Sequence, residues 1–270
     1  MAHEQTIVLI TGTSSGIGAA CARHLAQRGL RVFGTRRALQ QPPEGYQELA
    51  MDVTDDASVR QALDAVYEQA GRVDVLINNA GVGYAGAIED TSITAAKAQF
   101  ETNFFGALRL CQAVLPRMRE RGSGRIINIS SIGGLMSLPF QGMYCASKFA
   151  LEAMTEALRL EVRAFGIKVS LVEPGDFRTG FTAHRVRVQP EHGSSAYADQ
   201  METTLAIAER DEQAGPDPIL IAKLVEKIIR KRNPKLRYAV GMPTQRLGIL
   251  LRRILSTAMF ERVIAATYKI

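Results

Sequence analysis

Tryptophan is absent from this chain of 270 residues, aromatic residues reach only 6%, and there are three cysteines and four histidines. Cys21, Cys111 and Cys145 are odd in number and form no CxxC pair. That argues against a disulfide framework and suits a reducing, cytoplasmic setting. His3, His24, His184 and His192 show no metal-ligand spacing, so no metal is expected. The sequence has no GxxxxGK[ST] loop and no HExxH, which sets aside two common catalytic frameworks. Its apolar runs, such as Ile7 to Ile10 and Ile254 to Phe260, are far too short to span a bilayer. Met1 to Thr6 shows no basic-then-apolar leader pattern, so export is not expected.

What is present reads as an ordinary globular composition, with 46% apolar and 22% charged residues. The net charge of +6 is unevenly spread. Lys223 to Ile270 holds 12 Lys/Arg against 2 Asp/Glu, which leaves 21 against 25 elsewhere. A mildly acidic body with a basic tail speaks against nucleic acid as a partner.

Short apolar runs alternate with helix-like stretches. Strands are expected at Thr6 to Ile10, Arg31 to Thr35, Tyr46 to Met51, Val73 to Ile77, Arg125 to Ile129, Ile167 to Val172 and Leu236 to Val240. Helices are expected at Gly16 to Arg28, at Asp55 to Ala70 with Thr54 as N-cap, at Ala95 to Arg121 in two pieces with a kink at Pro116, at Met143 to Phe165, and at Pro218 to Arg232. Gln40 to Gly45 reads as a loop. Apolar strands between helices predict an α/β fold, a doubly wound parallel sheet of about seven strands with helices on both faces. One Rossmann-type domain is expected over 1–241, with a lid-like loop at 176–215 and a basic helical extension at 242–270.

Between the first strand and helix lies Thr11-Gly12-Thr13-Ser14-Ser15-Gly16-Ile17-Gly18, a GxxxGxG turn. Glycines there let backbone N–H groups approach a pyrophosphate at a helix N-terminus. Taken alone, the turn could be glycine-rich without a ligand. The second strand runs into Gly34-Thr35-Arg36-Arg37, with guanidinium groups where an acid would bind a ribose hydroxyl. That favours NADP(H) through its 2′-phosphate, with NAD(H) as the other possibility. Tyr144 and Lys148 stand at i and i+4 and share a helix face. A lysine cation beside a phenol lowers its pKa and suits proton exchange.

The order of motifs then points to a family. The glycine turn, Asn78-Asn79-Ala80-Gly81, Asn103, Ser130-Ser131, Tyr144 with Lys148, and Pro174-Gly175 follow one another along the chain. This resembles the short-chain dehydrogenase/reductase family over about Thr6 to Thr179, and to about Val240 by strand order. The resemblance implies Tyr144 as general acid/base and Ser131 as the residue orienting the substrate oxygen. Lys148 would lower the Tyr144 pKa and hold the nicotinamide ribose, and Asn103 would hold a relay water. It also implies cofactor contacts from Gly12, Ser14, Ser15, Gly16, Ile17 and Gly18, and from Asp52 and Val53 at the adenine. Asn79, Ala80 and Gly81 would form the cofactor floor, with Pro174, Gly175 and Thr179 at the carboxamide. A homodimer or homotetramer is implied as well. Glu173 and Asp176 read as solvated or structural, and Cys145 as packing.

Three segments should surround the nicotinamide: Val82 to Thr94, Ile132 to Met143 and Asp176 to Gly215. Leu135, Met136, Leu138, Pro139, Phe140, Met143, Phe177 and Phe181 in them predict a mostly apolar pocket for a lipophilic ketone or secondary alcohol. The subgroup resembled is that of hydroxysteroid and retinol dehydrogenases. The tail carries Arg246, Arg252, Arg253, Arg262 and Lys269 among leucines and isoleucines at helical spacing. It reads as packing on the cleft or a partner subunit, as lying on an anionic membrane surface, or as a solvated helix. Two other functions stay open at this point: an NADP(H) sensor without turnover, and a membrane-surface protein whose tail is the active part.

Overall fold

A computed structural model describes residues 5–39, 45–190 and 194–270. The expected loop from Gln40 lies outside these except for Gly45, as do His3 and His192. The chain begins β1 (Ile7–Thr11), α1 (Gly16–Gln27), β2 (Arg31–Arg36), β3 (Gln47–Ala50), α2 (Asp56–Ala70), β4 (Val75–Asn78) and the short β5 (Tyr84–Ala85). It continues with α3 (Ile93–Phe100), a π turn (Glu101–Phe105), α4 (Gly106–Arg121), β6 (Gly124–Ile129), a 3-10 turn (Ile132–Gly134), α5 (Gly142–Glu161) and β7 (Ile167–Pro174). Then come β8 (Val186–Arg187), α6 (Ala198–Gln213), α7 (Ile219–Arg230), β9 (Arg237–Val240), α8 (Pro243–Ile254) and α9 (Thr257–Tyr268).

Seven strands form one parallel sheet in the order β3-β2-β1-β4-β6-β7-β9. Alternate residues of each strand feed two cores, because successive side chains point to opposite faces. Ile7, Leu9, Leu76, Ile126 and Val169 pack with residues of α2 and α4 on one face. Val8, Ile10, Ile77, Ile127 and Val172 pack with α1 and α7 on the other. The strand order reverses between β1 and β4, and ligands in such sheets bind at the crevice beyond those strand ends.

Three local expectations need correction. Asp55, and not Thr54, caps α2: its carboxylate accepts from the Ala57 and Ser58 N–H groups at 2.7 and 3.2 Å. Thr54 instead donates to the Asp52 carboxylate. The break before α4 falls at the π turn around Asn103, while Pro116 lies inside the continuous α4. The segment 176–215 is no loop. It carries β8, which pairs with β5 outside the main sheet, and α6, which runs for 16 residues. Only Thr204, Leu205 and Ala208 of α6 are buried, so its sequence shows little apolar periodicity.

The tail folds back as the helix pair α8 and α9. Phe260 is buried against Ile132 and Met136 of the turn after β6, with Ile249, Leu251, Leu255 and Ile264 around it. Burying one such aromatic side chain is worth about 2–3 kcal/mol. The tail therefore packs beside the cleft, as the first of its three readings expects. Among the described residues, no helix is long and apolar enough to cross a membrane.

Candidate active site

The glycine turn leaves β1 with Gly12 at φ +72°, where an L side chain is strained. Gly18 is a matter of room: a Cβ there would sit 2.1 Å from the Gly12 carbonyl oxygen and 2.4 Å from Asn79 Nδ2. Asn79 braces the turn from β4, donating to the carbonyl oxygens of Thr11 and Gly12 at 2.9 Å each. Thr11 Oγ1 accepts from the Asn79 and Ala80 N–H groups, locking the two strand ends together. The Ser15 side chain does not cap α1, and the first helical bond runs from Ala19 N to Ser15 O. Among the described residues, the N–H groups of Gly16, Ile17 and Gly18 have no acceptor. Ser14 and Ser15 are exposed beside them. This cradle fits the pyrophosphate of a dinucleotide. Thr179 packs against Gly16, and its Oγ1 accepts from Phe181 N.

Arg36 and Arg37 fare differently. Arg36 pairs with the buried Glu48 at 3.3 Å, and Glu48 also accepts from Thr13 Oγ1 at 3.2 Å. Arg37 is exposed and has no ion pair among the described residues. Asp52 spends its carboxylate on Thr54, and Val53 is buried against Gly106.

The candidate catalytic residues meet where β6 and β7 end. Ser131 follows β6, and its Oγ accepts from Gly133 N at 3.0 Å; Ser131 and Tyr144 line one cavity. Thirteen residues separate the two in sequence, and the turn into α5 closes that gap. A buried chain of side chains ties α5 to the sheet. Asn78 donates to Asn128 at 2.9 Å, Asn128 to Thr155 at 2.8 Å, and Thr155 to the Leu151 carbonyl oxygen. Lys148, one turn after Tyr144, is buried and donates to the Ile129 carbonyl oxygen at 2.9 Å. Its Nζ lies 5.9 Å from the Tyr144 ring centre. Burial, opposed by Glu152, pulls the Lys148 pKa down to about 8.

The pKa reading of Tyr144 needs correction. Burial dominates and pushes the phenol well above its ordinary value. The groups that pull it down are the Ser131 hydroxyl and, farther off, Arg185. Lys148 is turned to the Ile129 carbonyl oxygen instead. Asn103 is buried, with Oδ1 accepting from Val82 N at 2.8 Å and Nδ2 donating to the Val82 oxygen and Ser147 Oγ. Its side chain is spent on holding the loop after β4 to α5. A Cβ at Gly81 would meet both Asn103 Oδ1 and Lys148 Nζ, so the three lie together.

A cavity of about 110 Å³ opens beside Tyr144. Ser131, Tyr144, Gly175 and Thr179 line it, with Leu138, Phe177 and Phe181 as apolar wall. The Phe181 ring centre is 5.6 Å from that of Tyr144. Leu135, Met136, Pro139, Phe140 and Met143 are not in this lining, nor is any residue of Val82 to Thr94. Met136 packs under the tail.

Sequence reasoning missed Asp176, Glu212 and Tyr268, which also line the cavity. Asp176 is half-buried at the cavity wall. Gln245 of α8 grips it: Oε1 accepts from Asp176 N at 3.1 Å and Nε2 donates to its carboxylate. Gly175 permits this, since a Cβ there would lie 2.0 Å from Gln245 Oε1. Glu212 accepts from Thr182 and Arg185. Glu173 is structural, buried with Glu152 around Arg237 at 3.1 and 2.9 Å. All three cysteines are free and buried, and burial pushes Cys145 up to about 11 and the others to about 12. Such thiols are inert packing groups.

The family model for short chain dehydrogenase matches residues 6–189. A 3-ketodihydrosphingosine reductase of Bacteroides thetaiotaomicron is 44% identical, covering 99% of each chain. The human 17-beta-hydroxysteroid dehydrogenase type 1 is 35% identical over 98% of this chain and 85% of its own. A short-chain dehydrogenase structure from Streptomyces avermitilis superposes with TM-score 0.82 at 34% identity, covering 98% of this chain and 99% of its own. One from Burkholderia phymatum, in complex with NAD, gives TM-score 0.81 at 26% identity and covers 94% of each. The chain therefore belongs to the short-chain dehydrogenase/reductase family, as an oxidoreductase of the CH–OH/C=O couple that uses a nicotinamide cofactor.

Proposed function

We propose that this protein is an NADP(H)-dependent reductase of a lipophilic ketone, with Tyr144 as its proton donor. The carrying observation is that Ser131 and Tyr144 share the wall of one cavity, with Leu138, Phe177 and Phe181 as its apolar side. When bound, the nicotinamide supplies the hydride. Ser131 holds the substrate oxygen, and Tyr144 gives it the proton that completes the alcohol. A phenol kept protonated by burial suits that donor role. Lys148 and Asn103, gathered at Gly81, would anchor the ribose side and lead a replacement proton inward. The glycine turn would take the pyrophosphate, with Asn79, Ala80 and Gly81 as the cofactor floor, Asp52 and Val53 at the adenine, and Pro174, Gly175 and Thr179 at the carboxamide.

The cavity is smaller than ordinary ligand pockets of about 300–1,000 Å³, so it seats the reacting end of a substrate. The name of the 44% identical relative supports a long-chain keto lipid. Exposed Leu247, Leu250, Ile254 and Met259 beside exposed arginines of the tail support contact with an anionic membrane surface. Exposed Phe105, Phe149 and Leu160 support a homodimer or homotetramer. The intact Ser131, Tyr144 and Lys148 set favours turnover over sensing alone.

Absorbance decay of NADPH and NADH with long-chain ketones and ketosteroids tests this reading. Faster use of NADPH is the expected result. Of the two arginines, Arg37 is free to meet a 2′-phosphate, while Arg36 is held by Glu48. Arg37→Ala should cut the NADPH-over-NADH ratio of kcat/KM about tenfold, the equivalent of about 1.4 kcal/mol. An unchanged ratio would remove Arg37 from the cofactor site.

A further inference from the structure

One side chain of the tail reaches the cavity of Ser131 and Tyr144. Tyr268, the last residue of α9, shares its wall with them. Among the described residues, no other side chain of α8 or α9 lines it. Tyr268 is half-buried, while Ala266, Thr267, Lys269 and Ile270 around it are exposed. Its cover therefore comes from the cavity side and not from its neighbours along the chain.

The fold holds the ring in that place. Phe260, Ile264 and Tyr268 stand four residues apart and share one face of α9. Phe260 packs with Ile132 and Met136 after β6, and Ile264 joins them. Thr204 of α6, itself buried, donates to the Tyr268 carbonyl oxygen at 3.5 Å. The helix closes directly afterwards, with Lys269 left-handed at φ +56° and Ile270 N donating to the Ala265 oxygen at 3.0 Å. Burial, with Asp176 and Asp211 nearby, pushes the phenol well above its ordinary value, so the ring stays neutral.

The ring also decides how much room the site has. With it in place the cavity measures about 110 Å³. Truncating a large buried side chain to alanine opens space on the order of 150 Å³, which would more than double that room. The other apolar rings of the wall belong to the body of the fold. Phe177 is buried in the core beneath α1 and α7. Phe181 leans on Tyr144 and fills the space at Gly83, where a Cβ would lie 2.6 Å from its ring.

We infer that Tyr268 is a specificity-determining residue: its ring limits the size of the group that the ketone carbon carries inside the cavity. The inference rests on reading this cavity as the ketone site. A long arm of the substrate must leave so small a space, while the short arm stays within it. The site then favours a ketone with one small arm, whatever the length of the other.

The test uses the full chain with saturating NADPH and two long-chain ketones that differ only in the short arm, methyl in one and cyclohexyl in the other. Comparing the methyl-over-cyclohexyl ratio of kcat/KM between variants cancels the intrinsic reactivities of the two ketones. Tyr268→Ala should lower that ratio about tenfold or more, within the reach of pocket fit. Tyr268→Phe keeps the ring and should leave the ratio within about threefold of wild type, and Tyr268→Trp should raise it. An unchanged ratio in Tyr268→Ala would overturn the inference, as would an equal fall in Tyr268→Phe, which would assign the effect to the hydroxyl. If Tyr268→Ala fails to fold, Tyr268→Trp decides, and an unchanged ratio there overturns the inference. In all these cases turnover of the methyl ketone leaves the proposed function standing. If neither ketone turns over in the wild type, it is the proposed function that fails. Calorimetric titration of NADP-loaded wild type and Tyr268→Ala with the two corresponding alcohols then decides the role of the ring. Equal affinity ratios, or no binding of either alcohol, would overturn it.

Discussion

Tyr144→Phe is expected to lower kcat by about 10²–10⁴-fold, the range for loss of a placed proton donor. The substitution removes one hydroxyl and keeps the ring. That ring lies 5.6 Å from Phe181 and 5.9 Å from Lys148 Nζ, contacts that a phenyl group preserves. Ser131 beside it keeps its place, since its Oγ still accepts from Gly133 N. The fold should therefore hold, and NADPH affinity should stay within about threefold, under 1 kcal/mol. Fluorescence titration of NADPH and single-turnover oxidation measure the two quantities separately. A variant with full kcat would end the assignment of Tyr144. Loss of NADPH binding along with kcat would mark the hydroxyl as part of the cofactor cradle instead.

Gly18→Ala should disable the other half of the site. Its Cβ would meet the Gly12 carbonyl oxygen at 2.1 Å and the Gly12 carbonyl carbon at 2.9 Å. These are backbone atoms, so no side chain can swing aside. Asn79 Nδ2, at 2.4 Å, would be driven from the bonds that hold Thr11 and Gly12. Overpacking of this kind costs about 1–3 kcal/mol, and each kcal/mol lowers Tm by about 2–4 °C in a chain of this size. NADPH affinity should fall about tenfold or more, since the N–H groups of the turn lose their alignment. Thermal unfolding with and without NADPH checks both effects. An unchanged NADPH-induced rise in Tm would show that the turn does not hold the cofactor.

The sheet was legible because its strands are continuous apolar runs, such as Ile7 to Ile10 and Val75 to Ile77, buried on both faces. That Ser131 and Tyr144 come together at one cavity was legible because one follows a strand and the other opens a helix at a fixed spacing. What stayed hidden depends on approach in space. Nothing in Asp176 or Gln245 as residue types, 69 positions apart, says that they touch. The turn at Gly175 and the return of α8 bring them together. The π turn at Asn103 was hidden for a related reason: its side-chain bonds run to Val82 and Ser147, far along the chain. The visible signal nearby, Pro116, drew the expected break to the wrong place. Helix α6 escaped notice because three buried residues leave too faint a stripe. The tyrosine pKa was misjudged because adjacency on a helix does not say where the lysine cation turns.

The central claim is that a nicotinamide cofactor, its pyrophosphate held at the glycine turn, would supply hydride to a ketone whose oxygen lies at Ser131 and Tyr144. NADPH carrying deuterium at both positions of its reactive carbon tests it, whichever face is used. With a long-chain ketone as acceptor, mass spectrometry of the alcohol should show a gain of one deuterium, placed on the carbinol carbon. Alcohol formed without the label, or labelled NADPH bound and never consumed across the ketones tried, would contradict the account.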